Sequence, residues 1–422
     1  MGSDNSPNRP PTSGDNIEDD LFNHEGMEAH DFDGNDDREE WNEIEEIPDI
    51  GMGAGTPSDS EDEELATRTG DKEEEQGEIQ PIRDDAIVTF REHTGPVFCA
   101  RFHPTEPLAV TGSEDDTALV WNTITGDVVH KCDGHTDTVI GVGFSYDGTY
   151  LATADLGGFL QAFRVTENYK QVWSFNIGDM AWMEWHRASN VLMAGSESGE
   201  VYFWRIPSGD CKVLQGHNVK AECGSLTADA KKIAVGYVDG CVKLWDIKTT
   251  AVVLEIPANS AQGHTEGVIS ISTDSEGSLF ASGGSDGQLV ISSNAGPLGR
   301  VSVGDSIESV AFCPLTESLK LVATGTLKGR ITIWDVSRQS PRCECQDDEP
   351  AGITKLLWAN NMNLLTSRLD GSVKIFDGRC GQLKSTLLGH RREIYDMHLD
   401  KTGQFLLTVS EDGTAKIFRM IS

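Results

Sequence analysis

A histidine, a serine or threonine and an aspartate recur together along this chain. They stand as His93, Thr111 and Asp115, as His264, Ser282 and Asp286, and as His390, Thr408 and Asp412. His217 and Asp239 make a partial set. These are the parts of a nucleophilic triad, in which histidine takes the hydroxyl proton and the carboxylate orients the imidazole. One active site needs one such set, and here the set repeats. Repetition is what a scaffold would show, and it argues against catalysis. No phosphate-cradling glycine loop, paired-histidine metal motif or nucleophile turn accompanies it. Cys343 and Cys345 are the only closely spaced cysteines and lack zinc-site spacing. No enzymatic activity, cofactor or metal is expected.

The repeat identifies the elements that must carry these residues. From residue 90 a strand-like run returns every 41 to 46 residues, closing on Trp121, Phe163, Trp204, Trp245, Ile291, Trp334, Phe376 and Phe418. A period near 40–45 residues belongs to propeller blades, four-stranded sheets that bury their faces only by packing radially. The fold class is therefore all-β, an eight-bladed propeller over residues 85–422. Ala86–Phe90 is a lone strand ahead of the first repeat, and the last repeat stops after its third strand, AKIFRM. The lone strand is expected to complete the last blade, which pairs two edges otherwise open to aggregation.

Charge divides the chain. Its formal net charge is −35; residues 1–80 hold 27 Asp/Glu against 4 Lys/Arg, and residues 81–422 hold 42 against 30. Such acidity repels phosphate backbones and anionic lipid and attracts basic partners. Direct nucleic-acid binding is disfavoured. Residues 1–80 lack apolar periodicity and read as a disordered acidic tail. Within it, Trp41, Ile44, Ile47 and Ile50 resemble a segment that folds on a partner, and Ser58 and Ser60 suit acidophilic kinases. No apolar run approaches the ~20 residues of a membrane span, and the N-terminus lacks signal-peptide features. Nine scattered cysteines suit buried thiols in a reducing compartment, so a cytoplasmic monomer is expected, with the nucleus as a second location.

Gly134-His135, Gly216-His217, Gly263-His264 and Gly389-His390 open repeats; Leu244-Trp245-Asp246, Ile333-Trp334-Asp335 and Phe376-Asp377 close them. On these motifs residues 85–422 resemble the WD-repeat family. The resemblance implies a buried relay in each blade from histidine through Ser/Thr and Asp to the closing Trp. The first blade carries the full set, His93, Thr111, Asp115 and Trp121; the fourth keeps His217, Asp239 and Trp245. The fifth keeps His264, Ser282 and Asp286, and the eighth His390, Thr408 and Asp412. Gly157, Ser198 and Lys328 stand where the turn Asp would be, and blades three, six and seven lack the opening His. Those blades are expected to rely on packing.

The resemblance also implies a partner-binding rim built from three positions per blade. Two flank the apolar residue early in the first strand, and the third precedes the turn Asp. Of the 24 positions seven are acidic, Glu114, Asp179, Glu197, Glu222, Glu308, Glu393 and Glu411, and one is basic, Lys220. Phe98 and Tyr395 add aromatic anchors. This surface suits a basic segment with apolar contacts. With its acidic tail and the opening His93 to Val97, the chain is similar to a eukaryotic subgroup. One member is an animal protein named for cell migration, and another is a fungal chaperone dedicated to one large-subunit ribosomal protein. The first expectation is a chaperone that captures the basic segment of a newly made ribosomal protein. The alternative is a signalling or cytoskeletal scaffold in migration.

Overall fold

Short runs of branched and aromatic residues, broken by Asp-Gly and similar turns, give strands of three to seven residues throughout. The structure, a computed structural model, describes residues 21–22, 81–314, 320–359 and 361–420. Among them the strands sort into eight four-stranded antiparallel sheets, each meandering outward from its first strand. The first strands of successive sheets lie side by side around the axis. The sheets are the eight expected blades.

The seam closes as anticipated. Val88–Phe90 pairs with Ala415–Arg419, placing Val88 opposite Ile417 and Phe90 opposite Ala415. Phe90 is 1% exposed and stacks on Trp121 of blade one at 4.7 Å. Lys416 donates to Asp84 at 2.5 Å and to Thr89 at 3.3 Å, and Asp85 bonds residue 388 from both its amide and its carboxylate. The strand joins blade eight to blade one by side chains as well as by its backbone.

Blades fit together because some second strands carry glycine one residue before their end. A Cβ on Gly112, Gly236, Gly283 or Gly325 would lie 2.5–2.6 Å from the Val139, Val268, Ile307 or Ile353 side chain of the next blade's first strand. Those apolar residues are essentially fully buried. No larger residue fits without pushing two blades apart.

Polar links hold the top of each blade. In blade one His93 Nδ1 lies 3.0 Å from Asp115 and Nε2 2.8 Å from Thr111. Blade five repeats this with His264, Asp286 at 3.1 Å and Ser282 at 2.8 Å, and blade eight with His390, Asp412 at 3.0 Å and Thr408 at 2.8 Å. In blade four His217 reaches Asp239 through Nε2 at 3.0 Å. Val235 offers no hydroxyl there, and the Tyr237 ring packs edge-on at 4.4 Å.

Several expectations need correction. The indole N–H of Trp121 and of Trp245 makes no hydrogen bond with the described residues, so neither extends the relay. These indoles serve packing instead. Blade two does have a relay: His135 reaches Thr153 at 2.8 Å and Asp155 at 3.0 Å, although Gly157 occupies the usual Asp position. Blades six and seven are not held by packing alone. Trp334 donates to Thr324 at 2.9 Å, and the Lys328 amide donates to Asp305 at 2.8 Å. In blade seven fully buried Arg368 pairs with Asp347 at 2.7 Å, and Lys374 binds the same carboxylate. Blade three uses Ser196, Ser198 and Glu200 in a short hydroxyl chain. Cys211 and Cys380 are exposed, unlike the buried thiols expected.

Leu21 and Phe22 contradict a wholly detached tail, because Leu21 is buried against blades three and four. The expectations for Trp41–Ile50, Ser58 and Ser60 lie outside the described residues.

Two stability tests follow from these contacts. Phe90→Ala should cost about 3–5 kcal/mol in denaturant unfolding, because it empties the seam and unstacks Trp121. A loss no larger than that of a surface substitution would show that the seam is not closed by this side chain. Acid should act through the relays. Burial pulls His135 and His390 below the usual 6.5 despite their aspartates, so the unfolded chain takes up their protons first. Their contribution is complete above pH 6.5 and declines as pH falls. Burial alone would raise Asp286, but bonds from His264 and two amides bring it down to about 2. Its contribution is present above 3.8 and fades towards 2. Melting temperature should therefore hold from pH 8 to 7 and fall progressively below about 6.5. A rise between pH 6.5 and 5 would contradict this.

Candidate functional site

The rim is built by two backbone devices that occur in every blade. Each first strand carries a register shift directly after its buried apolar residue, as between Val97 and Cys99 or between Ile394 and Asp396. The residues skipped are Phe98, Ile140, Ala181, Glu222, Ile269, Glu308, Thr354 and Tyr395. They are the second rim position of each blade. A bulged residue is released from the ladder and its side chain is re-aimed. The amide of the third position donates to the carbonyl of the first in each blade: Glu114 to Pro96 at 2.9 Å, Glu197 to Asp179 at 2.9 Å, Glu411 to Glu393 at 3.0 Å. Three side chains per blade are thus fixed at one end of the ring.

The candidate residues fall into two groups. Phe98 and Tyr395, on the adjacent blades one and eight, are not separate anchors but one stacked pair, 4.9 Å apart and 1° from parallel. Glu114, Glu393 and Glu411 surround them. Burial and then Glu411, Glu393 and Glu114 push the Tyr395 hydroxyl up to about 12. Burial and the Glu411 charge raise Glu393 above the usual carboxylate range, while Arg392 opposes this. Arg392 is committed to Glu411 at 2.9 Å. The result is an aromatic platform with crowded carboxylates, which a cation would relieve.

Across the ring the charge is different. Lys220 lies 2.9 Å from Glu197 and 3.2 Å from Glu222, so these acids share one internal cation. Both acids help to raise the Lys220 ammonium even though burial opposes them. Asp179 is exposed nearby, and Glu308 of blade six accepts from Ser306 at 2.7 Å. The structure therefore does not bring all seven acids together; it splits six of them into two rim groups of three, each with one internal cation, leaves Glu308 apart, and gives only the group at blades one and eight a pair of aromatic rings.

The channel holds a charged cluster that the rim positions did not anticipate. Asp396 bridges Arg101 and Lys355, each at 2.5 Å, and joins the inner strands of blades one, seven and eight. Burial raises the Glu184 carboxyl on blade three, with Arg187, Arg101 and Lys355 opposing. Burial and the same two cations of the bridge, Arg101 and Lys355, hold His398 down to about 3. Arg101, Glu184, Lys355 and His398 line a cavity of about 570 Å³. Charged residues within inner strands, where apolar ones would pack, were the available signal.

The WD domain, G-beta repeat family matches residues 85–122, 126–161, 210–246, 257–291 and 381–419. The stretches it leaves out hold blades three, six and seven, those without an opening histidine. The angio-associated migratory cell protein of Canis lupus familiaris is 38% identical over 79% of this chain and 80% of its own length, and that of Homo sapiens matches equally. The ribosome assembly protein SQT1 of Saccharomyces cerevisiae is 22% identical over 80% of this chain and 88% of its own length. The crystal structure of Chaetomium thermophilum Sqt1 bound to the N-terminus of the ribosomal protein L10 superposes with a TM-score of 0.73. It is 22% identical and covers 80% of this chain and 100% of that one.

The stacked pair can be tested by itself. A double-mutant cycle of Phe98→Ala and Tyr395→Ala should give a coupling of about 0.5–1.5 kcal/mol in unfolding free energy. Additive effects would mean that the rings do not pack in solution.

Proposed function

Because the chain belongs to the WD-repeat propellers, with the angio-associated migratory cell protein as a relative, we propose that it is a non-catalytic binding protein. Its rim captures a basic protein segment, in our reading that of a newly made large-subunit ribosomal protein, and shields it until assembly. The Phe98–Tyr395 stack among Glu114, Glu393 and Glu411 carries this reading. A segment made for ribosomal RNA is rich in arginine, which pairs carboxylates bidentately and lies flat on aromatic rings. The rigid ring presents both at once, so the segment is held without competing for its final structure. Ribosomal RNA, with denser charge, would displace the propeller. The work belongs to the cytoplasm, with the nucleus as a second location, and the chain acts as a monomer.

Two comparisons support the reading without deciding it: the assembly role in the name of SQT1, and the L10 N-terminus bound to Chaetomium thermophilum Sqt1 in its crystal structure. The second reading, a scaffold in migration, rests on the higher identity to the angio-associated migratory cell protein. A binding assay separates them. The N-terminal peptide of ribosomal protein L10 should bind in low salt and weaken steeply as salt rises. Glu114→Lys with Glu393→Lys should abolish capture, while melting temperature changes little, because Glu114 is exposed, Glu393 is half-buried, and rim charges of this kind contribute under about 1 kcal/mol each. Glu197→Lys with Glu222→Lys should have a smaller effect, since Lys220 already offsets that pair. Lys220→Gln should strengthen capture. No binding at any salt would defeat the chaperone reading and leave the scaffold; binding that survives both reversals would remove the rim as the site.

A further inference from the structure

Leu21 and Phe22 rest on the flank of the ring at blades three and four, far in sequence from anything they touch. Leu21 is 5% exposed and joins a core cluster with Phe203, Leu214, Trp245 and Ile247. The Phe22 ring lies beneath two cations, with the Arg205 guanidinium 4.9 Å and the Lys212 ammonium 5.6 Å from its centroid. Lys212 also donates to the Leu21 carbonyl and, at 3.0 Å, to the carbonyl of Lys248. Burial and the neighbouring Lys248 pull the Lys212 ammonium below its usual range, with Asp246 opposing, so acceptors and negative charge are favoured beside it. Arg205 and Lys212 belong to the hairpin between the third and fourth strands of blade three, and Lys248 follows the third strand of blade four. Such hairpins lie at the end of the ring opposite the rim.

A basic cluster stands out in a protein with net charge −35. The residues just before Leu21 are Glu18, Asp19 and Asp20. Apolar fit, two cation–ring contacts, a bond to the Leu21 carbonyl and complementary charge all select one kind of ligand. We propose that this seat is a binding site for an acidic segment carrying Leu-Phe, and that the chain's own Leu21–Phe22 segment fills it. The site is independent of the rim and of its ligand. It anchors the acidic N-terminal segment on the face away from the rim by a contact that can be exchanged.

The test uses the full chain. A fluorescein-labelled peptide of residues 15–26 is titrated into the wild-type protein and into the Leu21→Ala/Phe22→Ala variant, whose seat is open. The variant should bind at least about tenfold more tightly, because a tethered segment competes at an effective concentration on the order of millimolar. Adding Lys212→Met, which keeps the stem and removes the charge, should weaken binding to the open seat several-fold, and a peptide with both Leu and Phe replaced by Ala should not bind. Melting curves check that each variant is folded. Equal binding to both chains, no binding to the open seat, or indifference to both Lys212→Met and the peptide substitutions would overturn the proposal.

Discussion

How closely one blade approaches the next governs the rest of this structure. The apolar residue at the start of each first strand is buried against its neighbour, and at four joints the neighbour yields space by placing glycine one residue before the end of its second strand. A strand held that tightly by one residue cannot continue flat along its own sheet. The register shift comes directly afterwards in all eight blades, and the extra residue is turned out at the rim. The rim is therefore a consequence of ring packing. Residues at the bulge are released from the ladder and carry no core duty, which leaves them free to vary as Phe98, Glu222 or Tyr395.

The polar links show which parts of a repeat are interchangeable. Each blade must satisfy buried groups near the turn between its second and third strands. A histidine with an aspartate and a hydroxyl is one solution. Asp155 serves two residues earlier than usual, and Arg368 with Asp347 and Lys374 replaces the imidazole by an ionic cluster. A buried cluster of this kind is costly if one partner is lost, but it need not stabilise more than the relay it replaces. What repeats is the requirement, and residue identity follows only where one solution fits best.

Periodicity exposed most of the fold because it is written in many copies. The eight closing residues and the lone strand before the first repeat sufficed for blade number and for the seam. The rim positions came from the family resemblance instead, which defines each relative to a buried apolar residue that the alternation reveals. Pairings between positions were not. Nothing in the sequence places Phe98 beside Tyr395, almost 300 residues away, or sets Lys220 between Glu197 and Glu222, because those contacts depend on ring curvature. The role of Asp155 was not legible because it falls two residues before the family's usual position, where Gly157 stands. Leu21 and Phe22 are too short an apolar run to register against the acids around them.

Charge distribution ties the two ends of the ring together. Residues 1–80 carry 27 carboxylates, and a rim that attracts a basic ligand repels them. Without a contrary attraction, such a segment would still screen the rim and lower the rate at which a cationic ligand arrives. The Arg205, Lys212 and Lys248 cluster supplies that attraction at the opposite face, and the Leu21 contact gives it a fixed point. Repulsion at one end and attraction at the other act in the same direction. On this view the scattered lysines and arginines of an acidic propeller are not leftovers: Lys220 and Arg392 limit the charge of the rim locally, while the flank cluster with Arg205 and Lys212 holds Leu21 and Phe22.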